Sequence, residues 1–518
     1  MHQRVVLRSL STKTGSKRSP WNILVGLELH AQIKSRSKLF SGASTDFGER
    51  PNTQVALFDA AIPGTLPRLN AACVEQAIRT GLAVGGSIQT RSKFERKHYL
   101  YYDLPLGYQI TQRTDPIVLG GHVVVPVKGK STPCVVRISR IQLEQDTAKT
   151  VHASAGEGGG GGGGEEVQQH VLVDFNRAGV PLMEIVTEPD MRSAEEAGAT
   201  LSVLQQLLKH IGTCDGNMDE GSLRCDVNVS LQHSDPSSIK SQSSYPPCEV
   251  KNVNGVKHVM KAIEFESKRQ VAVIESGGKL VRETRFFDVS TGTTVAARAK
   301  ESAPEYRFLP DADLPPLVLS QEWIDRVKLS LPKLPAEIHE ELMHMYGLSS
   351  YDAAVLQKEP GAVDYFVTVA DKISNYRLVT SWITSDLFGS LAGKTLQECP
   401  VRENRMVDLL NMIITGDISG RVGKQVLNVM MQGDGRMPSE IVDSSGWRQI
   451  SDDSLLDAVC REVIDAYSEQ VQKYQQGNRR ILDFLVAQVI KKLNGRANPI
   501  KVSEMIGLIL SKAETRRH

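Results

Sequence analysis

The chain has 518 residues, 40% hydrophobic and 23% charged, and 61 Lys and Arg face 60 Asp and Glu for a formal net charge of +1. That length holds roughly two to four domains with cores of their own. The charge balance excludes a globally basic nucleic-acid field and leaves a local patch open. Seven scattered cysteines with no C-x-x-C pair argue against a disulfide framework and a cysteine-rich zinc site; no apolar run is long enough to span a bilayer.

In residues 1–20, Arg4, Arg8, Lys13, Lys17 and Arg18 are interleaved with Ser9, Ser11, Thr12, Ser16 and Ser19. No acidic residue precedes Glu28, and Val5, Val6, Leu7 and Leu10 give an apolar side. This make-up predicts an organellar transit peptide, with a disordered basic tail as the alternative. From 21 to 315 the pattern predicts an α+β domain of short strands, because strands and helices do not alternate strictly. Val25-Gly-Leu-Glu28-Leu-His30-Ala-Gln32 has period two, so a strand there puts Glu28, His30 and Gln32 on one face. Helical spacing follows over Cys73–Leu82. Strand-length runs bounded by Gly, Pro or Ser lie at Ile117–Leu119, His122–Val127 and Cys134–Ile138.

The run Gly158–Gly164 lacks the Lys and Ser/Thr of a phosphate-binding loop, and Glu157, Glu165 and Glu166 flank it. It predicts a flexible insertion over 156–166. Pro181-Leu-Met-Glu184-Ile-Val sets one carboxylate inside an apolar strand. Ser193–Ile211 reads as a helix, with Ser193 as N-cap and Glu195 and Glu196 in its first turn. Arg224-Cys-Asp226-Val-Asn228-Val-Ser230 alternates again, with Asp226 and Asn228 opposite Val227 and Val229. Ser241–Ser244 with Pro246-Pro247 is a loop.

A carboxylate on a buried strand is costly unless it is paired or holds a cation. Carboxylates and one imidazole on adjacent strands would make a hard-cation site of the kind that holds Mg²⁺ beside a nucleotide. Three half-exposed strands with a solvated polar face are the alternative.

Asp311-Ala-Asp-Leu-Pro-Pro316 marks a domain boundary, followed by a helical domain over 316–440 and a small helical tail over 441–518. Ser320 and Ser349 begin helices, the latter with Asp352 in capping-box position. Pro335 begins one that stops at Gly347. In the tail, Ile481–Ile490 is helical, closed by Asn494-Gly495 and Pro499. The basic cluster Lys491, Lys492, Arg496 and Lys501 suits a helix end or RNA contact equally.

A set of motifs then carries a resemblance: Gly26-Leu-Glu-Leu-His30, Ser92-Lys-Phe-Glu-Arg-Lys97, Asp103-Leu-Pro-Leu-Gly-Tyr-Gln109, Leu143-Glu-Gln-Asp146, Val173–Pro181, Glu184–Asp190, Glu220–Asp226, Glu249-Val-Lys-Asn252, Leu314-Pro-Pro316 and Gly495–Pro499. In this order they closely resemble the GatB family, the B-type subunits of the glutamyl/aspartyl-tRNA amidotransferases, in their mitochondrial form. The likeness covers essentially everything after residue 21. It implies a cradle-like catalytic domain, a helical domain and a tRNA-binding tail.

The resemblance implies a ligase for protein biosynthesis in the mitochondrial matrix. Such an enzyme would use ATP and Mg²⁺ to phosphorylate the Glu side chain of misacylated Glu-tRNA(Gln). Ammonia from an amidase (glutaminase) subunit would then displace the phosphate, with a small third subunit (C or F type) completing the complex. The glutaminase is not in this chain, which has no G-x-S-x-G and no Cys–His signature.

Residue by residue, the resemblance gives Glu28, His30, Lys97, Glu184 and Asp226 catalytic roles. It makes Glu28, His30, Glu144, Glu184 and Asp226 metal ligands. Two adjacent glutamates are common where this chain has Glu144-Gln145. Tyr99 falls near the reaction centre and the ammonia route. Many bacterial relatives hold zinc with two cysteine pairs; the matching positions are Ser41, Ala43, Ala56 and Asp59, so no structural zinc is expected. Asn176-Arg177-Ala-Gly179 reads either as a substrate clamp or as a turn with an ion pair. Tyr99, Tyr101, Tyr102 and Tyr108 read either as a stack for the tRNA acceptor end or as packing. One rival function is a non-catalytic tRNA-binding member of the same complex. Another is a stand-alone ligase for a free amino acid, which would leave the helical units without a task.

Overall fold

The computed structural model describes residues 20–130, 132–152, 171–234, 244–297, 306–449, 453–476, 478–493 and 496–515. The transit-like stretch up to residue 19, the glycine-rich insertion, the serines at 241–243 and Asn494-Gly495 lie outside them.

The alternating segments are strands, and longer than their polar residues suggested. In chain order the principal elements of the first unit are β1 (Trp21–Gln32), α1 (Ala71–Ala83), β2 (Glu95–His98), β3 (Tyr108–Thr111), β4 (Cys134–Gln145), β5 (Pro181–Thr187), α2 (Ala194–His210), β6 (Leu223–His233), β7 (Cys248–Lys251), α3 (Val256–Glu275) and β8 (Glu283–Asp288). Expected strand Cys134–Ile138 runs seven residues further and takes in Glu144, because a bulge between Ile138 and Arg140 resets the alternation and buried Ile141 and Leu143 carry it on from there. Capping is as the spacing predicts: Ser193 accepts from the Glu196 backbone N–H (3.2 Å), Ser320 from Trp323 (3.3 Å) and Ser349 from Asp352 (3.1 Å).

β1 is central in a ten-stranded sheet, between β6 and β5. Beyond β6 come β7, β8 and Thr293–Ala296; beyond β5 come β4, Val118–Leu119 and Ser87–Ile88, and His122–Val125 also pairs with β4. All pairs are antiparallel except β7 with β8, which α3 connects as a parallel crossover. One sheet face is apolar. Leu27, Leu29, Val227, Ile185 and Ile141 are buried in one core with Val74 and Ile78 of α1, Leu201 and Leu208 of α2, and Val259 and Ile263 of α3. The opposite face carries the polar residues. A separate three-stranded sheet joins β2 to β3 and to Leu309–Pro310.

The chain forms two compact units, Met1–Leu334 and Pro335–His518. The first extends past 315, because Ile324 and Val327 of the helix Gln321–Leu329 are buried in its core. The second unit is helical and has two cores. One runs from Leu342 to Val442, so the helix Pro438–Ser445 belongs with it rather than opening the tail; the other runs from Leu456 to Leu510. Pro499 starts the helix Pro499–Thr515 instead of stopping the one before it, the use of proline that spends its missing N–H where no partner is needed.

Candidate functional site

Strand register sorts the polar face into rows. His30 stands opposite Glu184 on one side and Arg224 on the other; Glu28 stands opposite Asp226 and Val186. β4 adds Gln142 opposite Glu184 and Glu144 opposite Leu182, while Glu249 of β7 stands opposite Asn228. The sheet thus brings Glu28, His30, Glu144, Glu184 and Asp226 together from four strands far apart in sequence. One ligand atom each from Glu28, His30 and Asp226 lies within 4.8 Å of the others, and the same holds for His30, Glu144 and Glu184. His30 is shared by both groups, with Nε2 3.6 Å from Glu28 Oε1.

The supports come from residues to which the motifs gave no role. Gln109 of β3 donates to Glu144 Oε1 (2.7 Å) and to the Gln145 carbonyl (2.7 Å). Gln142 donates to Glu184 Oε2 (2.7 Å) and to Thr111 Oγ1 (3.0 Å). Lys251 Nζ lies 2.7 Å from Asp226 Oδ2 and 3.0 Å from Glu249 Oε1. Period two in Gln142-Leu-Glu144, Arg224-Cys-Asp226 and Glu249-Val-Lys251 was the signal that could have found them. Lys97 of β2 sits apart from the ligand groups, over the rings of Tyr306 and Tyr99 at 5.0 and 6.0 Å from their centroids, and its charge acts on Glu184.

Burial opposes charge throughout the site, and neighbours decide each outcome. Burial raises the Glu28 carboxyl, but the hydrogen bond and charge of His30 outweigh it and bring Glu28 down to about 2. Burial disfavours the His30 imidazolium, yet Glu28, Glu184, Glu144 and Asp226 push it up to about 9. Glu184 goes the other way: burial, then Glu144 and Glu28, raise it to about 8. A carboxyl that burial and two neighbouring carboxylates hold well above its usual range marks a site short of positive charge. The donor set is hard oxygen with one imidazole, and a divalent cation of the Mg²⁺ kind fits both the chemistry and the charge.

Arg177 and the zinc-type positions do other work. Arg177 donates to the carbonyls of Thr147 (2.9 Å) and Ala148 (2.6 Å) and pairs with Asp146 at 3.8 Å, a carboxylate that Arg224 also takes at 2.8 Å. That makes Asn176–Gly179 a braced turn rather than a substrate clamp. Asp59 Oδ2 accepts from Ser41 Oγ (2.9 Å) and the Ala56 N–H (2.9 Å) and pairs with buried Lys38 at 3.2 Å. An ion pair and two hydrogen bonds therefore join these segments.

Residues 23–325 match the model of the GatB/GatE catalytic domain, and 364–510 match that of the GatB domain. The chain is 44% identical over 488 residues to the B subunit of the aspartyl/glutamyl-tRNA(Asn/Gln) amidotransferase of Granulibacter bethesdensis, covering 94% of this chain and 97% of the relative. Proteins of the same description from Rickettsia canadensis and Gluconobacter oxydans are each 43% identical, over 489 and 501 residues, covering 94% and 96% of this chain and 97% and 99% of theirs.

Proposed function

We propose, from the premise that this chain belongs to the GatB/GatE family as the B-type component of a tRNA-dependent amidotransferase, that it activates the side-chain carboxylate of Glu on misacylated Glu-tRNA(Gln). It works with other subunits of that complex. An amidase (glutaminase) partner would supply ammonia, and a small third subunit would complete the assembly. The charge and serine pattern of residues 1–20 supports a mitochondrial destination.

The observation that carries this reading is the gathering of four carboxylates and His30 on one sheet face. A carboxylate cannot be amidated at neutral pH without a leaving group, so ATP must supply one. A substrate carboxylate oxygen would bond to the γ-phosphorus as the bond to ADP breaks. Ammonia would then add to the acyl carbon and inorganic phosphate would leave. Glu28, His30, Glu144, Glu184 and Asp226 would hold Mg²⁺, which neutralises phosphoryl charge when bound. Gln109 and Gln142 fix two of those carboxylates in place. Lys97, over the Tyr306 ring, is near enough for its charge to act on Glu184 and would offset negative charge building during transfer. A protein that only bound tRNA would have no use for four carboxylates gathered around one imidazole within reach of a cation.

The test uses the reconstituted complex with Glu-tRNA(Gln), Mg²⁺ and γ-labelled ATP and no ammonia source. Wild type should release labelled phosphate only when the tRNA is present. Glu184→Gln and His30→Ala should lose that release while still binding tRNA. Turnover by both variants at the wild-type rate would make the acidic strands structural and place the chemistry elsewhere.

A further inference from the structure

Parity along β2 and β3 sorts the side chains of the small sheet onto two faces. Lys97 is paired with Gln109 and Glu95 with Thr111, so all four share a face, and Gln109 and Thr111 reach the Glu144 and Gln142 of the carboxylate site from it. Leu309 pairs with Arg96, which sets Phe308 and Tyr306 on the Lys97 side; Tyr99 and Arg113 continue that side by the period of two.

The contacts agree. The Tyr99 and Tyr306 rings meet edge-on at 5.9 Å, and Tyr306 and Phe308 at 6.2 Å. Lys97 sits 5.0 Å over Tyr306, and the Arg113 guanidinium 4.5 Å over Phe308. Tyr101 leans on Tyr99 at 5.7 Å and is 46% exposed; Tyr102 is 58% exposed. Among the described residues neither Lys97 nor Arg113 forms an ion pair.

A row of rings with two cations over it, ending at a phosphoryl-transfer site, is the chemistry that single-stranded nucleic acid requires. Each base has a face to stack on a ring, and each phosphate needs a cation that no carboxylate has claimed. Packing alone would bury these rings, whereas Tyr99, Tyr306 and Phe308 are each only partly buried and Tyr101, at the end of the row, is half in solvent.

We propose that this face is the bed for the unpaired 3′ end of the aminoacylated tRNA, with Tyr99, Tyr306 and Phe308 as stacking surfaces and Arg113 as a phosphate contact. It rests on the reading above that the substrate is a misacylated tRNA. Lying on this face, the 3′ end delivers its aminoacyl group past Lys97 to Glu184 and His30. Tyr306 and Phe308 come from a segment some two hundred residues from Tyr99, so only the fold assembles the row.

The test has a kinetic and a binding arm, both on the reconstituted complex. Phe308→Ala should raise KM for Glu-tRNA(Gln) by roughly 5- to 150-fold, the range of a lost stacking contact, and Arg113→Gln should raise it too and lessen its salt dependence, with KM for ATP unchanged in both. Phe308→Tyr keeps a ring and should restore the wild-type KM. In direct binding, a tRNA trimmed of its unpaired 3′ nucleotides should bind wild type and Phe308→Ala equally, while full-length tRNA should bind the variant more weakly. A rise in KM for ATP alone would make the face a nucleotide pocket and overturn the proposal. Equal weakening of trimmed and full-length tRNA, or no change in either, would also overturn it. The binding arm needs no turnover, so a wild-type complex that binds tRNA without phosphorylating it would sink the function and still judge the face.

Discussion

Replacing Lys38 by methionine should destabilise the first unit by about 3–5 kcal/mol, the usual cost of leaving one partner of a buried ion pair unpaired. The Lys38 and Asp59 side chains are 0% and 1% exposed, 3.2 Å apart, and Lys38 Nζ also donates to the Phe175 carbonyl at 3.2 Å. With the ammonium gone, Asp59 keeps the Ser41 hydroxyl and the Ala56 N–H, which places the expected loss toward the lower end of the range. Relief by shifting the Asp59 side chain is limited, because Gly179 packs so closely that a Cβ there would lie 2.8 Å from Asp59 Oδ1. Lys38→Met with Asp59→Asn removes both charges and keeps an acceptor for Ala56, so it should recover most of the loss. Urea unfolding of the full chain, read by hydrogen exchange, would measure this. Peptides over 36–62 and 173–180 should lose protection, and those of the second unit should serve as an unchanged control. A single-variant loss below about 1 kcal/mol, or a double variant no better than the single, would refute an uncompensated buried charge as the cause.

Phe366→Ala should cost the second unit about 3–5 kcal/mol, since that ring is fully buried and meets Tyr346 edge-on at 5.2 Å; urea unfolding checks it, and exchange of β1 should stay put. Gln142→Leu removes the donor on Glu184 and should weaken Mn²⁺ binding, read by electron paramagnetic resonance, by about 10- to 100-fold; unchanged binding would show that the amide only packs. Burial pushes the thiols of Cys73, Cys214 and Cys460 up to about 11, so at pH 8 their thiolate is on the order of a hundredfold scarcer than at a pKa of 9. Native protein should therefore take up maleimide first at half-buried Cys134, with labelling of the others rising as pH climbs or urea is added.

Local pattern determined a good deal of this protein. Period two in Val25–Gln32 and Arg224–Ser230 gives two strands and says which side chains share a face, because successive side chains on a strand point to opposite sides. Ser193, Ser320 and Ser349 mark helix starts because their hydroxyls satisfy backbone N–H groups within three residues. The linear motifs were also enough to name the family. What no local pattern contains is pairing. That β1 lies between β5 and β6, with His30 level with Glu184 and Glu28 level with Asp226, follows from long-range register. Register is set by burying the whole apolar face of the sheet at once. The same holds for Gln109 on Glu144, for Tyr306 and Phe308 beside Tyr99, and for Lys38 closing on Asp59. Sequence fixes which groups are polar and where they point along a strand. Only tertiary packing decides which of them meet, because one collective burial of apolar surface has to satisfy all the charges brought together on the other side.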